Sequence, residues 1–272
     1  MAILADYHLH SSFSGDSTTP MEEMIQKGIA IGLRSMCFTE HNDFDYPADE
    51  DMPEDSYLLN TDAYLYDLLR FRDKYNDKIN LYFGVELGLQ PHLAKRNSAY
   101  AKSFDFDFII ASSHVCDFRD PYNPSYFEGR SEEEAYRDYF SSIIENIKKF
   151  TDFDVYGHLD YVLRYGPNLD KYYTYDKYKD LFDTMLTLLI EKGKGIEVNT
   201  GGVKKGLREL HPCTDVIRRY HELGGEIITT GSDAHEPTHI ADAFDKAAEV
   251  LKSCGFRYYT VFNGRNPDFI KI

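Results

Sequence analysis

Short apolar runs alternate with longer stretches of helical period along almost the whole chain. The runs at residues 3–8, 35–39, 81–86, 106–112, 154–158, 195–199 and 226–230 are rich in Ile, Val, Phe or Tyr, and they read as strands. The stretches at 20–33, 61–75, 131–150, 175–192, 214–223 and 240–254 carry apolar residues at helical spacing. Thr19-Pro20 suits a cap followed by a first-turn proline. Ser131 precedes three glutamates, which favour the positive end of a helix dipole. Alternating strands and helices imply a parallel sheet, and seven such units predict closure into a barrel. An open doubly wound sheet is the competing architecture, but no G-x-G-x-x-G follows a strand. No boundary and no internal repeat divides the chain, so residues 1–272 are expected to form one barrel domain. An acidic, proline-containing loop is expected at 43–55.

Composition narrows the function more than the fold. The 272 residues include 30 Lys+Arg against 46 Asp+Glu, a formal net charge of −16. Such a surface repels nucleic-acid backbones and anionic membranes. A small phosphorylated substrate remains compatible, since bound divalent cations would reverse the local field. Cys37, Cys116, Cys213 and Cys254 form no C-x-x-C pair and read as reduced thiols of a cytoplasmic protein. The first residues are too briefly apolar for a signal peptide, and no run is long enough for a transmembrane helix.

In a parallel barrel, functional side chains gather where the strands end. Those ends read His8-Leu9-His10, Thr39-Glu40-His41, Gly84-Val85-Glu86, Ser112-Ser113-His114, Gly157-His158 and Gly231-Ser232-Asp233-Ala234-His235. Only the sixth strand, at Asn199-Thr200, ends without a His, Asp or Glu. A carboxylate or imidazole at the end of a buried strand is costly unless it is paired or ligating. His8 and His10 share one face of an extended segment, so both can reach one ion, and Asp233 and His235 have the same spacing. His and carboxylate ligands without cysteine suit Zn²⁺, Mn²⁺ or Fe²⁺, and eight or nine of them imply two or three ions. His92, His211, His221 and His239 read as structural or exposed.

These motifs, in this order, resemble the polymerase-and-histidinol-phosphatase (PHP) family, and the matches span residues 6 to 235. The resemblance implies a distorted (β/α)₇ TIM-like barrel with up to three metals at the carboxyl ends of its strands. It implies that one ion takes His8, His10, Glu86 and Asp233. A second shares Glu86 and adds His114 and His158, and a third takes Asp16, His41 and His235. The segments following His158 and Asn199 resemble the histidinol-phosphatase branch. There Arg164 matches a phosphate-contacting arginine, and Lys204 stands where a second arginine is usual. Lysine keeps the charge but not the bidentate geometry.

The expected activity is therefore metal-dependent phosphomonoester hydrolysis, with histidinol phosphate as the substrate. Clustered ions would acidify a water for in-line attack on phosphorus. Glu86, Asp233, His235 and Arg164 are the expected catalytic groups, and Arg164, Lys204 and Asn199 the expected substrate contacts. The acidic residues Asp43, Asp45, Asp49, Glu50 and Asp51, with Asp160, are candidates for the cationic end of the substrate. Other PHP phosphoesterases, acting on nucleotides, phosphotyrosine or other phosphomonoesters, and a metal-dependent amide hydrolase are the alternatives. The sequence leaves the oligomeric state open.

Overall fold

The strands of this chain are buried on both faces, which is why they read as continuous apolar runs rather than alternating ones. The computed structural model describes residues 2–48, 53 and 55–272. Seven strands pair in sequence order, all parallel: β1 (Ala5–Leu9), β2 (Ser35–Asp43), β3 (Asn80–Gly88), β4 (Phe108–Ser112), β5 (Val155–Tyr156), β6 (Gly195–Asn199) and β7 (Ile228–Gly231). β1 meets the chain leaving β7 through Asp233 N–H to His8 O (2.7 Å) and His10 N–H to Ala234 O (2.8 Å). The sheet thus nearly closes into the TIM-like barrel expected.

Helices fill the connections: α1 (Met21–Ala30), α2 (Thr61–Lys74), α3 (Ala94–Ala101), α4 (Glu132–Lys149), α5 (Lys179–Glu191), a short α6 (Gly201–Lys204), α7 (Thr214–Glu222) and α8 (Phe244–Ser253). Each longer one turns an apolar stripe inward, as α4 does with Tyr136, Tyr139, Phe140, Ile143 and Ile147. α4 starts as predicted, with a full capping box between Ser131 and Glu134. Thr19 does not cap α1. Its hydroxyl donates to His235 O instead (3.0 Å), beside Ser17 Oγ at 2.8 Å, so the turn is spent on anchoring the end of the barrel. α8 begins later than its periodicity suggested, because Ala241 and Ala243 take left-handed conformations before it.

Besides the one-turn α6, a helix and a hairpin escape the sequence reading. α3 is a polar helix with two buried residues and little periodic signal. The antiparallel hairpin of β8 (Tyr258–Asn263) and β9 (Asn266–Lys271) turns at Gly264-Arg265, both with positive φ. It covers the amino-terminal end of the barrel, where Phe262 O accepts from Tyr7 Oη (2.8 Å) and Thr260 Oγ1 from Ile228 N–H (3.0 Å). The opposite end is left to the site. Among the described residues, no helix is long and apolar enough to cross a membrane. All four cysteines are buried and unbridged.

Candidate metal centre

β2 and β3 are the longest strands of the barrel, and their extra residues build the floor of the site. β2 continues past Thr39, so that His41 and Asp43 lie within the strand, in register with Glu86 and Gly88. A Cβ at Gly88 would stand 1.8 Å from Asp43 Oδ1, so only glycine there leaves Asp43 its place. Gly231 does the same for His8 and Glu197, whose atoms would lie 2.2 and 2.3 Å from a Cβ at that position.

All nine residues of the expected ligand set meet at this end. Glu86 lies at the centre, fully buried. Its Oε1 faces His158 Nε2 (2.9 Å) and His114 Nε2 (3.2 Å), and it accepts from Ser112 Oγ (2.7 Å). Its Oε2 faces His41 Nδ1 (3.0 Å), His8 Nε2 (3.2 Å) and His10 Nε2 (3.5 Å). Asp233 Oδ1 lies 3.8 Å from His8 Nε2 and 3.7 Å from His10 Nε2. Asp16 sits at the rim, with Oδ2 3.1 Å from His235 Nε2 and 3.5 Å from His41 Nε2. Four triads have ligand atoms close enough to hold an ion: His8–His10–Asp233, His8–Glu86–His158, His41–Glu86–His114 and His10–His41–His235.

The hydrogen bonds behind the imidazoles show what they are aimed at. His8 Nδ1 is held by Glu197 Oε1 at 2.6 Å, and His114 Nδ1 by Asp43 Oδ1 at 2.8 Å. His10 Nδ1 meets Ser14 Oγ at 3.0 Å, and His235 Nδ1 meets Asp233 O at 3.1 Å. Ser14 Oγ gives its one proton to buried Glu40 (2.6 Å), so it can only accept from His10. In these four rings Nδ1 is engaged away from the cluster, which leaves Nε2 facing into it. Nε2 of His8, His10 and His235 and Oε2 of Glu86 are buried without a hydrogen-bond partner. Each unmet group of this kind costs about 1–3 kcal/mol. Imidazole nitrogens and a carboxylate oxygen that converge without hydrogen-bond partners fit divalent cations.

The electrostatics divide the rings into two groups. Burial lowers the pKa of His10, and the neighbouring rings of His41 and His235, stacked at 4.2 and 4.3 Å, push it well below the usual range. Burial opposes ionisation of Glu86 as well, yet His8, His114 and His41 hold it well below the ordinary carboxylate range. Asp233 is depressed in the same way, against burial, by Arg164 and His8. Burial opposes charge on His8, His41, His114 and His235 too, but the carboxylates of Glu197, Glu86, Asp43 and Asp16 raise all four above the usual range, so a bound divalent cation would displace protons from these rings.

Arg164 stands at the edge of this cluster, with Nη2 2.8 Å from Asp233 Oδ2. Lys204, on α6, reaches Ser232 O (3.4 Å), next to Asp233. Several expectations need correction. Asn199 is fully buried, with Oδ1 accepting from Arg164 Nη2 (3.1 Å) and Gly201 N–H (2.8 Å), and Nδ2 donating to Glu197 (3.1 Å). Its polar atoms hold Arg164 and the backbone, so it is not a substrate contact. Asp160 is also fully buried, bound to His211 Nδ1 and Cys213 N–H, and cannot meet a cationic substrate. Asp43 holds His114, and Asp45 pairs with Arg96 (3.0 Å) and His92 (3.2 Å) at the surface. Asp49, Glu50 and Asp51 lie outside the described residues. His211, read as structural or exposed, is buried against Arg164.

Glu197 was the largest omission. It lies in β6 two residues before the strand end, and a carboxylate inside an apolar run is itself a signal. Glu197→Gln should weaken metal binding by about 10- to 100-fold, because Gln still accepts from His8 Nδ1–H but without charge. Competition with a chelating dye measures this, and an unchanged affinity would contradict it.

A barrel carrying such a cluster at its carboxyl end is a metallohydrolase scaffold in form. The model of the PHP domain family matches residues 6–201, and the chain belongs to that family. The histidinol-phosphatase of Lactococcus lactis is 31% identical over 264 residues, which are 97% of this chain and 96% of that protein. A Clostridium acetobutylicum protein named "Probable histidinol-phosphatase" is 28% identical, over 93% of this chain and 94% of its own. The crystal structure of the Lactococcus lactis histidinol phosphate phosphatase, complexed with zinc, L-histidinol and phosphate, superposes with a TM-score of 0.87 at 30% identity. That alignment covers 97% of this chain and 98% of that one.

Proposed function

We propose that this chain is a metal-dependent phosphomonoesterase that hydrolyses histidinol phosphate to histidinol and phosphate. The observation that carries the reading is the gathering of nine His, Asp and Glu side chains into one cluster with buried Glu86 at its centre and Asp16 at its rim, with an arginine fixed at its edge. Similarity over almost the full length to a histidinol-phosphatase supports the substrate.

Two or three divalent ions fit the donor set, zinc, manganese and iron being the candidates. His8, His10, Glu86 and Asp233 would hold one, Glu86, His114 and His158 a second, and Asp16, His41 and His235 a third. When bound, such ions supply positive charge for phosphate oxygens and make a coordinated water acidic enough to serve as a nucleophile near neutral pH. The side chains do the rest. Glu197, Ser14, Asp43 and the Asp233 carbonyl fix ring tautomers and orientations, so the ligands do not reorganise during reaction. Arg164 offers guanidinium N–H groups to charge spreading onto the equatorial oxygens. Lys204 adds a point charge beside Asp233.

The organic half of the substrate has an ammonium group and an imidazole. The mouth of the site is walled by tyrosines: Tyr57 5.5 Å from His41, Tyr46 4.5 Å from Tyr57, and Tyr161 5.5 Å from His114 and 5.2 Å from Tyr165. Asp120 accepts from Tyr46 Oη within this wall. Aromatic faces and one carboxylate suit a cationic, planar group, and they take the role first expected of the acidic loop.

The test is a panel of phosphomonoesters with the metal-loaded enzyme. kcat/KM for histidinol phosphate should exceed that for p-nitrophenyl phosphate, nucleotides, phosphotyrosine and sugar phosphates by about 100-fold or more. Equal rates across the panel would leave a phosphatase without this substrate, and turnover of amides alone would overturn the reading.

A further inference from the structure

Behind Arg164, away from the ligand cluster, lies a second buried chain of polar groups. Asp160 and His211 are both fully buried. Asp160 Oδ1 takes the Nδ1–H of His211, and Oδ2 takes Cys213 N–H at 3.0 Å. His211 Nε2 meets Arg164 Nε at 3.0 Å. An arginine Nε–H can only donate, so the imidazole accepts there and its own proton points to Asp160.

Two further restraints hold His211 in place. Its backbone bonds Asn199 both ways, N–H to Asn199 O (2.9 Å) and O to Asn199 N–H (2.7 Å). A Cβ at Gly202 would lie 2.6 Å from Nε2, so glycine there lets α6 close over the ring. The same Asn199 that anchors its backbone also accepts from Arg164 Nη2.

Counting donors on Arg164 gives the consequence. Nε is spent on His211, and Nη2 on Asn199 and Asp233. Among the described residues Nη1 makes no hydrogen bond, which leaves its two N–H groups as the free donors. Tyr161, 5.1 Å below the guanidinium carbon, supports one face of the plane.

We propose that Asp160 and His211 form a strut that locks the guanidinium plane of Arg164 and reserves Nη1 for a substrate oxygen. The inference rests on the reading of Arg164 as the phosphate contact. His211 is thus a positioning residue, acting only through Arg164. A long, flexible arginine held in one orientation stabilises a transition state without first losing its own freedom.

A double-mutant cycle separates this from a packing role. kcat and KM for histidinol phosphate, competitive inhibition by inorganic phosphate, and bound zinc are measured for the wild type, His211→Leu, Arg164→Ala and the double variant. His211→Leu should lower kcat/KM by about 10-fold and weaken phosphate inhibition, with zinc content unchanged. His211→Gln, whose amide oxygen can still accept from Nε–H, should recover most of the loss. In the Arg164→Ala background, His211→Leu should change kcat/KM by less than about 2-fold. If His211→Leu does not fold, Asp160→Leu with His211→Leu removes the unpaired carboxylate and takes its place in the cycle. The same fold loss with and without Arg164 would overturn the strut, as would a silent His211→Leu. A silent Arg164→Ala would instead remove the phosphate reading, and the strut with it.

Discussion

Glu86→Gln is expected to lower kcat/KM by about 1,000-fold or more and to strip the protein of most of its bound metal. The carboxylate divides the cluster between its two oxygens. Oε1 faces His114 and His158, and Oε2 faces His8, His10 and His41, all within 3.5 Å. A group so placed would hold more than one ion if they bind, and an amide at the same position has half the acceptor capacity and no charge. It faces five imidazoles at once, so its loss removes negative charge from the middle of the cluster, where bound cations would need it. Asp16 provides the contrast. Its side chain is 30% exposed and it faces only His41 and His235, so Asp16→Asn should cost about 10-fold. Steady-state kinetics and elemental analysis of both variants make the comparison. Equal, mild losses would show that Glu86 is not the shared ligand.

Arg164→Ala carries the second large effect. kcat/KM for a phosphate monoester should fall by about 10- to 1,000-fold while metal content stays intact. The side chain is buried, and burial opposes its charge, but Asp233 and the tyrosines around it hold the guanidinium above its ordinary pKa. It is a permanent cation touching one expected ligand through Asp233 Oδ2, and its removal deletes charge next to the reacting phosphoryl group without opening the first ligand set. Unchanged kinetics would take Arg164 out of the site.

The barrel and its ligand ends were legible because one physical rule governs both. Parallel strands are buried on two faces, so they stand out as apolar runs, and polar residues that interrupt such a run at its end must be paired or ligating. His8, His10, Glu86, His158 and Asp233 were visible on that ground. What lay behind them was not. Glu197 sits inside β6 rather than at its end, and Asp43 sits in an acidic stretch that reads as loop although β2 runs through it. Asn199 and Asp160 were assigned to the substrate because sequence gives a polar residue's position along a strand but not the partner that consumes its hydrogen bonds. His211, beside Pro212, read as structural or exposed, and which of the two holds follows from a pairing with Asn199 that no local pattern encodes. The β8–β9 hairpin could have been read from Asn263-Gly264, a strong turn signal between two β-rich runs.

If metal ions held at this cluster make the barrel a phosphatase for histidinol phosphate, loading and activity must rise together. Chelator-stripped protein is titrated with Zn²⁺ or Mn²⁺, and bound metal and phosphate release are followed on the same sample. The stripped protein should show negligible hydrolysis, take up two or three ions per chain, and regain activity in step with the later equivalents. Hydrolysis by metal-free protein, or fully loaded protein that releases no phosphate from histidinol phosphate, would contradict this reading.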